Sequence, residues 1–190
     1  MYEYQVCPIV EGRCADLSFR LAVYEAGHAL TARAMGFEVL SVKMLPRPPM
    51  LESDKVLKGF SLRSVTAVLE NRCIELFGGQ IAEQHVCQTA SCCSGDVARI
   101  DELTRLIAGI EGKRTGEDIW FELEDVAQKI FDNEPIRDAI LPIAEFLHEQ
   151  VEAGHSVVPG HRIEVMMDKL LAPMPEPKAT GFLGRLKRRG

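Results

Sequence analysis

The spacing of apolar residues along the chain predicts a mainly helical protein. Between Asp16 and Gly36, apolar and small residues recur at intervals of three and four, which is typical of one helix with a buried stripe. Asp16 or Ser18 is suited to cap the start of this helix, and Gly36 its end. The same spacing predicts five further helices, at about 61–86, 96–110, 117–131, 135–152 and 160–171.

One segment alternates between two faces, as a strand does. Residues 37–45 follow that pattern and are mostly apolar on both faces, and the prolines after them end the strand. We expect a loop or irregular hairpin over 46–60, with a second short strand at Lys58-Gly59-Phe60. The predicted fold is therefore mainly α (α+β), with a small sheet or hairpin beside the first helix.

The composition fits one globular domain. The 190 residues are 46% apolar and 26% charged, which excludes a globally disordered chain and a fibrous repeat. We expect residues 15–172 to form the domain, after an irregular segment (1–14) and before a flexible basic tail (173–190). No window of about 18 residues is free of charge, so no transmembrane segment is expected.

Charge is unevenly divided along the chain and argues against nucleic acid as a partner. Of the 22 basic residues, five lie among the last thirteen residues, where no acid occurs, so residues 1–177 hold 17 basic and 28 acidic groups. An acidic body does not attract phosphate backbones. The basic tail alone is suited to touch an anionic surface.

The cysteines are expected to be free thiols. The N-terminus lacks the basic and apolar regions of a secretory signal, which favours a cytoplasmic protein, and in that compartment all six cysteines stay reduced. Cys7 and Cys14 match no pairing pattern. Cys87, Cys92 and Cys93 lack the C-x2-C spacing of a zinc ribbon, so no zinc finger is expected.

The segment with the clearest chemistry is Tyr24-Glu25-Ala26-Gly27-His28. Zinc proteases carry His-Glu-x-x-His on a helix, where two histidines one turn apart bind the metal and the glutamate activates the metal-bound water. Here Glu25 and His28 stand where that motif requires them, but Tyr24 replaces the first histidine. A phenol has a pKa of about 10 and must lose its proton before it binds zinc strongly, whereas neutral imidazole binds readily.

Three separated motifs resemble the peptidase domain of the FtsH-type ATP-dependent zinc metalloproteases. They are YEAGHAL with the strand VLSVKMLPRP after it, ENRCIELFGGQIAEQHV on the second predicted helix, and SCCSGDVARIDELTRLIAG at the third. The family has HEAGHAL, a glycine pair followed by a glutamate on a helix, and an aspartate that opens a helix and binds zinc. The three motifs follow the family's order and cover about residues 18–110.

The resemblance implies a role for each matching residue. Glu25 matches the family's general base, His28 its second histidine ligand, and Asp96 its aspartate ligand. Tyr24 occupies the position of the first histidine ligand, which makes the motif degenerate. The supporting helix matches the family at three further residues, Gly78, Gly79 and Glu83.

Tyr24 leaves three interpretations open. In the first, zinc binding is weak or absent, and Tyr24 fills the metal space and hydrogen-bonds to Asp96 or Glu25. In the second, zinc still binds, through a Tyr24 phenolate or through a recruited group; the candidate substitute ligands are His85, Cys92 and Cys93. In the third, only the fold is shared. Asp96 also suits a helix N-cap, since Ser-Gly-Asp precedes an apolar run.

The sequence therefore predicts a catalytically impaired, peptidase-like domain (a pseudo-peptidase), without ATPase or membrane segments, that acts by binding a protein or peptide partner. The alternative is an active zinc metalloendopeptidase in which Glu25 is the general base and His28 and Asp96 hold the metal. No ATP site is expected, because the segment around Gly112-Lys113 misses the phosphate-loop pattern at two positions. Homo-oligomers remain an option, since the family it resembles forms hexamers.

Overall fold

The computed structural model describes residues 12–55, 57, 59, 61–92 and 94–171, and it confirms a mainly helical fold with a small sheet. In chain order its elements are a 3-10 helix (Gly12–Ala15), α1 (Leu17–Ala34), β1 (Val39–Lys43), β2 (Met50–Ser53), α2 (Leu62–Cys87), α3 (Ser94–Glu111), α4 (Gly116–Phe131), α5 (Glu134–Glu152), β3 (Val157–Pro159) and α6 (Gly160–Leu170). Within these ranges no helix is both long enough and apolar enough to cross a membrane. The predicted basic tail lies outside the described residues.

Helix α1 is the centre of the fold. It begins after Asp16, whose side chain accepts a hydrogen bond from the backbone N–H of Ser18, so Asp16 is the predicted cap. Fourteen of its 18 residues are buried, because α2, α5 and the sheet pack around it. Burial therefore extends well beyond the predicted stripe, and alanines such as Ala22, Ala26 and Ala29 let neighbours approach from several sides.

Helices α1 and α2 cross at a contact between glycines. A Cβ atom on Gly27 would lie 2.2 Å from the carbonyl oxygen of Gly78, and one on Gly78 would lie 2.0 Å from Oγ1 of Thr31. The Thr31 hydroxyl in turn donates to the Gly27 carbonyl at 2.8 Å. Only glycine allows backbones this close, which explains why α2 carries Gly78 in its interior.

The sheet has the strand order β2-β1-β3, with both pairs antiparallel. Val42 lies opposite Leu51 on one neighbour and Val158 on the other, and all three side chains are buried against the helices. Strand β2 precedes the predicted second strand at 58–60, two of whose residues lie outside the described ones. Strand β3 was missed because three residues are too few for an alternating pattern.

A disulfide joins Cys14 to Cys87, which contradicts the prediction that all six cysteines are reduced. Cys14 lies just before α1 and Cys87 is the last residue of α2, so the packing of these helices brings the two Cα atoms to 5.7 Å. The partners are 73 residues apart in sequence, and no local spacing reveals such a pair. Cys73, which is buried in α2, is a free thiol as predicted.

Candidate functional site

Four predicted site residues meet where α1 packs beside the start of α3. Tyr24, Glu25 and His28 come from the middle of α1, and Asp96 comes from the first turn of α3. Tyr24 and His28 are one helical turn apart, so their side chains lie on the same side of α1. Asp96 is the third residue of α3, which begins at Ser94, so it is not the N-cap that the sequence suggested.

Asp96 accepts hydrogen bonds from two site residues at one oxygen. The Tyr24 hydroxyl donates to Asp96 Oδ2 at 2.7 Å, and His28 Nε2 lies 3.3 Å from the same atom. Burial raises the pKa of Asp96, but the hydrogen bonds from His28 and Tyr24 and the positive charge of His28 outweigh it. The pKa of Asp96 is therefore below its ordinary value.

The ring of His28 is fixed at both nitrogens. Nδ1 lies 2.7 Å from the backbone carbonyl of Glu75 on α2, and a carbonyl only accepts, so Nδ1 carries a proton. Burial lowers the pKa of His28, but its hydrogen bond to Asp96 and the nearby negative charges outweigh that effect, so the pKa is raised. When the ring is protonated, it donates at both nitrogens and forms an ion pair with Asp96.

Gly79 makes room for the two aromatic side chains. A Cβ atom at this position would lie 2.5 Å from Cε1 of His28 and 2.7 Å from Cε1 of Tyr24. The two rings pack edge to face with their centroids 4.7 Å apart. The two glycines of the predicted pair therefore serve different purposes, since Gly78 admits the backbone of α1 and Gly79 admits the site side chains.

Glu25 is the least satisfied group of the site. Its side chain is only 2% exposed, and its Oε2 has no hydrogen-bond partner among the described residues. The pKa of Glu25 is raised to about 7, mainly by burial; the charges of Asp96 and Glu75 act in the same direction, while those of His28 and Arg72 oppose them. A buried carboxyl with a free acceptor is suited to receive a hydrogen bond from a ligand or a water molecule.

Glu83 holds the loop that leads to Asp96. This fully buried carboxylate accepts hydrogen bonds from the Ser91 hydroxyl at 3.0 Å and from the backbone N–H of Cys92 at 2.9 Å. Arg20 of α1 lies beside it, with its Nε 3.8 Å from the carboxylate, and also donates to Ser91. The sequence marked Glu83 only by resemblance; its contacts depend on loop geometry that local patterns do not reveal.

The predicted substitute ligands are not gathered into a metal site in the described part of the chain. His85 is exposed near the end of α2, and its ring lies 6.4 Å from that of Phe131 on α4. Cys92 is half-buried and its backbone is bound to Glu83, while Cys93 lies outside the described residues. Over the described ranges, no group of three His, Cys, Asp or Glu side chains is arranged to hold a metal.

The donors around Asp96 do not fit an ordinary three-ligand zinc centre in this arrangement. Such a centre needs three deprotonated donors around one point and a fourth position for water. The distance of 3.3 Å between His28 Nε2 and Asp96 Oδ2 is compatible with two ligands of one zinc ion. The third group, the Tyr24 hydroxyl, is protonated and donates its hydrogen bond to Asp96. In this arrangement Tyr24 is therefore not a deprotonated third donor.

Comparison with known proteins identifies no family for this chain. A scan against models of protein families finds no match to the chain. A search of curated proteins finds no match either. The evidence for function is therefore the arrangement of these side chains: a buried carboxyl with a free acceptor, and beside it an aspartate bound by a tyrosine and a histidine.

Proposed function

We propose that this chain is a peptidase-like domain of the FtsH type that has lost its zinc centre and acts by binding a protein or peptide. The observation that carries the proposal is the 2.7 Å hydrogen bond from Tyr24 to Asp96, at the point where the family has a histidine and an aspartate on one metal. This bond provides Asp96 with a hydrogen-bond partner in the absence of a metal. The proposal includes no use of ATP. A cytoplasmic location is also part of it, but requires the Cys14–Cys87 disulfide to persist in a reducing compartment, which is uncommon.

A second candidate is an active zinc peptidase, and Glu25 is the observation that favours it. In the family this position is the general base, and a general base must have a free acceptor facing the reacting water. Glu25 has that free acceptor, since its Oε2 is buried and has no partner among the described residues. The same feature suits a binding site in which a ligand donor reaches Glu25.

Zinc content separates the two candidates. The chain is purified without chelator or affinity tag, loaded with excess zinc, dialysed and analysed for metal. We expect little zinc in the unaltered protein and about one zinc per chain in Tyr24→His, which supplies the missing imidazole ligand. Tyr24→Phe is the matched control, because it removes the hydrogen bond to Asp96 without adding a ligand.

Two results would contradict the proposal. About one zinc per unaltered chain, lost in His28→Ala and Asp96→Ala but kept in Glu25→Gln, indicates a working metal centre and favours the peptidase. Failure of Tyr24→His to gain zinc, in a protein that still folds, argues that the metalloprotease geometry is not preserved.

A further inference from the structure

A groove of about 430 Å³ lies between β2, α2 and α3, next to the candidate site. Its apolar part is formed by Leu51, Val68, Leu69 and Leu103. Arg72 lines the groove one turn before Glu75, whose carbonyl binds His28, and its charge acts on both carboxyls of the site. The charge of Arg72 therefore acts on the site from the wall of the groove.

Basic residues outnumber acidic ones in the lining of the groove, although the chain as a whole is acidic. Three of its lining residues are basic, namely Lys55, Arg72 and Arg99, and only Glu52 among the described lining residues is acidic. Glu52 is already bound to Lys43 at 2.6 Å. Lys55 and Arg72 are paired with the buried Glu75, and Arg99 is paired with Glu102. The lining therefore favours an anionic ligand through the donors that its two arginines leave free, not through a large net charge.

The two arginines retain donors for such a ligand. Arg72 donates through Nη1 to Glu75, and Arg99 donates through Nη1 to Glu102. A guanidinium has five N–H donors in a planar fork that suits a carboxylate, so each arginine has donors left. Their side chains are 37% and 55% exposed. Lys55 is instead paired with the buried Glu75, which offsets its charge.

The backbone of strand β2, which lines the groove, can also form hydrogen bonds with a ligand. Strand β2 pairs only with β1 among the described strands, so its outer edge is unpaired there. An unpaired edge is a template on which an extended peptide adds as a further strand. Leu51, Glu52 and Ser53 of this strand all line the groove.

We propose that the groove binds an extended peptide in which an acidic side chain stands next to a large apolar one. The apolar side chain packs on Leu51, Leu69 and Leu103, and the carboxylate is recognised by Arg72 and Arg99. This inference rests on the proposed function, because it names the class of peptide that the peptidase-like domain binds.

The test uses the full chain and a library of octapeptides randomised at every position, with retained peptides sequenced by mass spectrometry. We expect enrichment of Asp or Glu beside Leu, Ile, Met or Phe. A selected peptide is expected to bind about tenfold more tightly than its Glu→Gln counterpart, since charge-assisted hydrogen bonds are lost. That preference is expected to shrink as the salt concentration rises.

Arginine variants test whether the preference for an acidic peptide arises in the groove. Arg99→Gln breaks only an exposed ion pair with Glu102, so we expect it to fold normally and to lose most of the tenfold preference. Arg105→Gln is the matched control, because Arg105 lies on the same helix in an exposed pair with Asp101, outside the lining of the groove. Arg72→Gln is tested beside them, with thermal unfolding as a check of folding.

The outcomes separate the inference from the proposed function. Retained peptides without acidic enrichment, or an acidic preference that Arg99→Gln leaves intact, overturn the inference while peptide binding itself stands. No retained peptide of any composition contradicts peptide binding and the inference together.

Discussion

The two carboxyls of the site have opposite environments. Asp96 receives hydrogen bonds from Tyr24 and His28, which hold its pKa below the ordinary value. Glu25 is buried with one oxygen unpartnered, and its pKa is raised to about 7, mainly by burial. Near neutral pH, therefore, Asp96 is ionised while Glu25 is divided between its two forms. Such a difference between neighbouring carboxyls is typical of functional sites.

Glu25 makes the stability of the protein depend on pH. Its pKa is raised from 4.5 in the unfolded chain to about 7 in the folded one, so the folded state binds this proton more tightly. The resulting stabilisation is complete below pH 4.5 and is lost as the pH rises through 7. We expect Glu25→Gln, which stays neutral, to gain about 3 kcal/mol in free energy of unfolding relative to the unaltered protein between pH 4.5 and 8.

Urea unfolding at several pH values measures this effect. Glu149→Gln, which removes an exposed carboxylate from α5, is the control and is expected to show no comparable dependence. A constant difference between Glu25→Gln and the unaltered protein across this range would show that Glu25 is not protonated preferentially in the folded state.

At the scale of elements, the crossing of α1 and α2 depends on the absence of side chains. The carbonyl of Gly78 occupies the place of a Cβ on Gly27, and Thr31 occupies the place of a Cβ on Gly78. The neighbours are backbone atoms and a β-branched side chain that hydrogen-bonds to the backbone, so neither side can easily give way. The same crossing sets the position of the site residues on α1.

We expect Gly78→Ala to lower the free energy of unfolding by about 3 kcal/mol, because the added methyl group forces the two helices apart. Gly109→Ala is the matched control: Gly109 lies inside α3 with no atom within 4 Å of its would-be Cβ. It is expected to stabilise the protein by roughly 0.5–1 kcal/mol. Thermal or urea unfolding measures both; equal effects of the two substitutions would contradict a close crossing.

The helices were predictable from the sequence and the strands only in part. Apolar spacing and caps such as Asp16 are local signals, and they located all six helices to within a few residues. The short strands β2 and β3 carry no such signal. At the site, the motif on α1 predicted Glu25 and His28, and a hydrogen bond from Tyr24 to Asp96 or Glu25 was one of three interpretations. The structure shows that the partner is Asp96, 72 positions away, and not the adjacent Glu25.

At the scale of the whole molecule, the Cys14–Cys87 disulfide ties the start of α1 to the end of α2. We expect Cys14→Ser with Cys87→Ser to lower the free energy of unfolding by about 2–4 kcal/mol. The reason is that a cross-link over 73 residues removes much of the conformational freedom of the unfolded chain. Cys73→Ala, which removes a buried thiol outside any disulfide, is the control.

Urea unfolding with and without a thiol reductant measures the loss. We expect the reductant to destabilise the unaltered protein and Cys73→Ala alike, and to leave the double variant unchanged. Alkylation under denaturing, non-reducing conditions checks the bond itself, because Cys14 and Cys87 should escape alkylation until a reductant is added. Alkylation of both cysteines without reductant would contradict the pairing.

The disulfide also makes residues 14–87 a covalent ring that contains α1, β1, β2 and α2. Tyr24, Glu25, His28 and the glycine pair lie inside this ring, and Asp96 lies outside it. A single protease nick between β2 and α2 therefore leaves both pieces attached to each other. The nicked chain stays one molecule on a non-reducing gel and separates into two fragments only when a thiol reductant opens the ring.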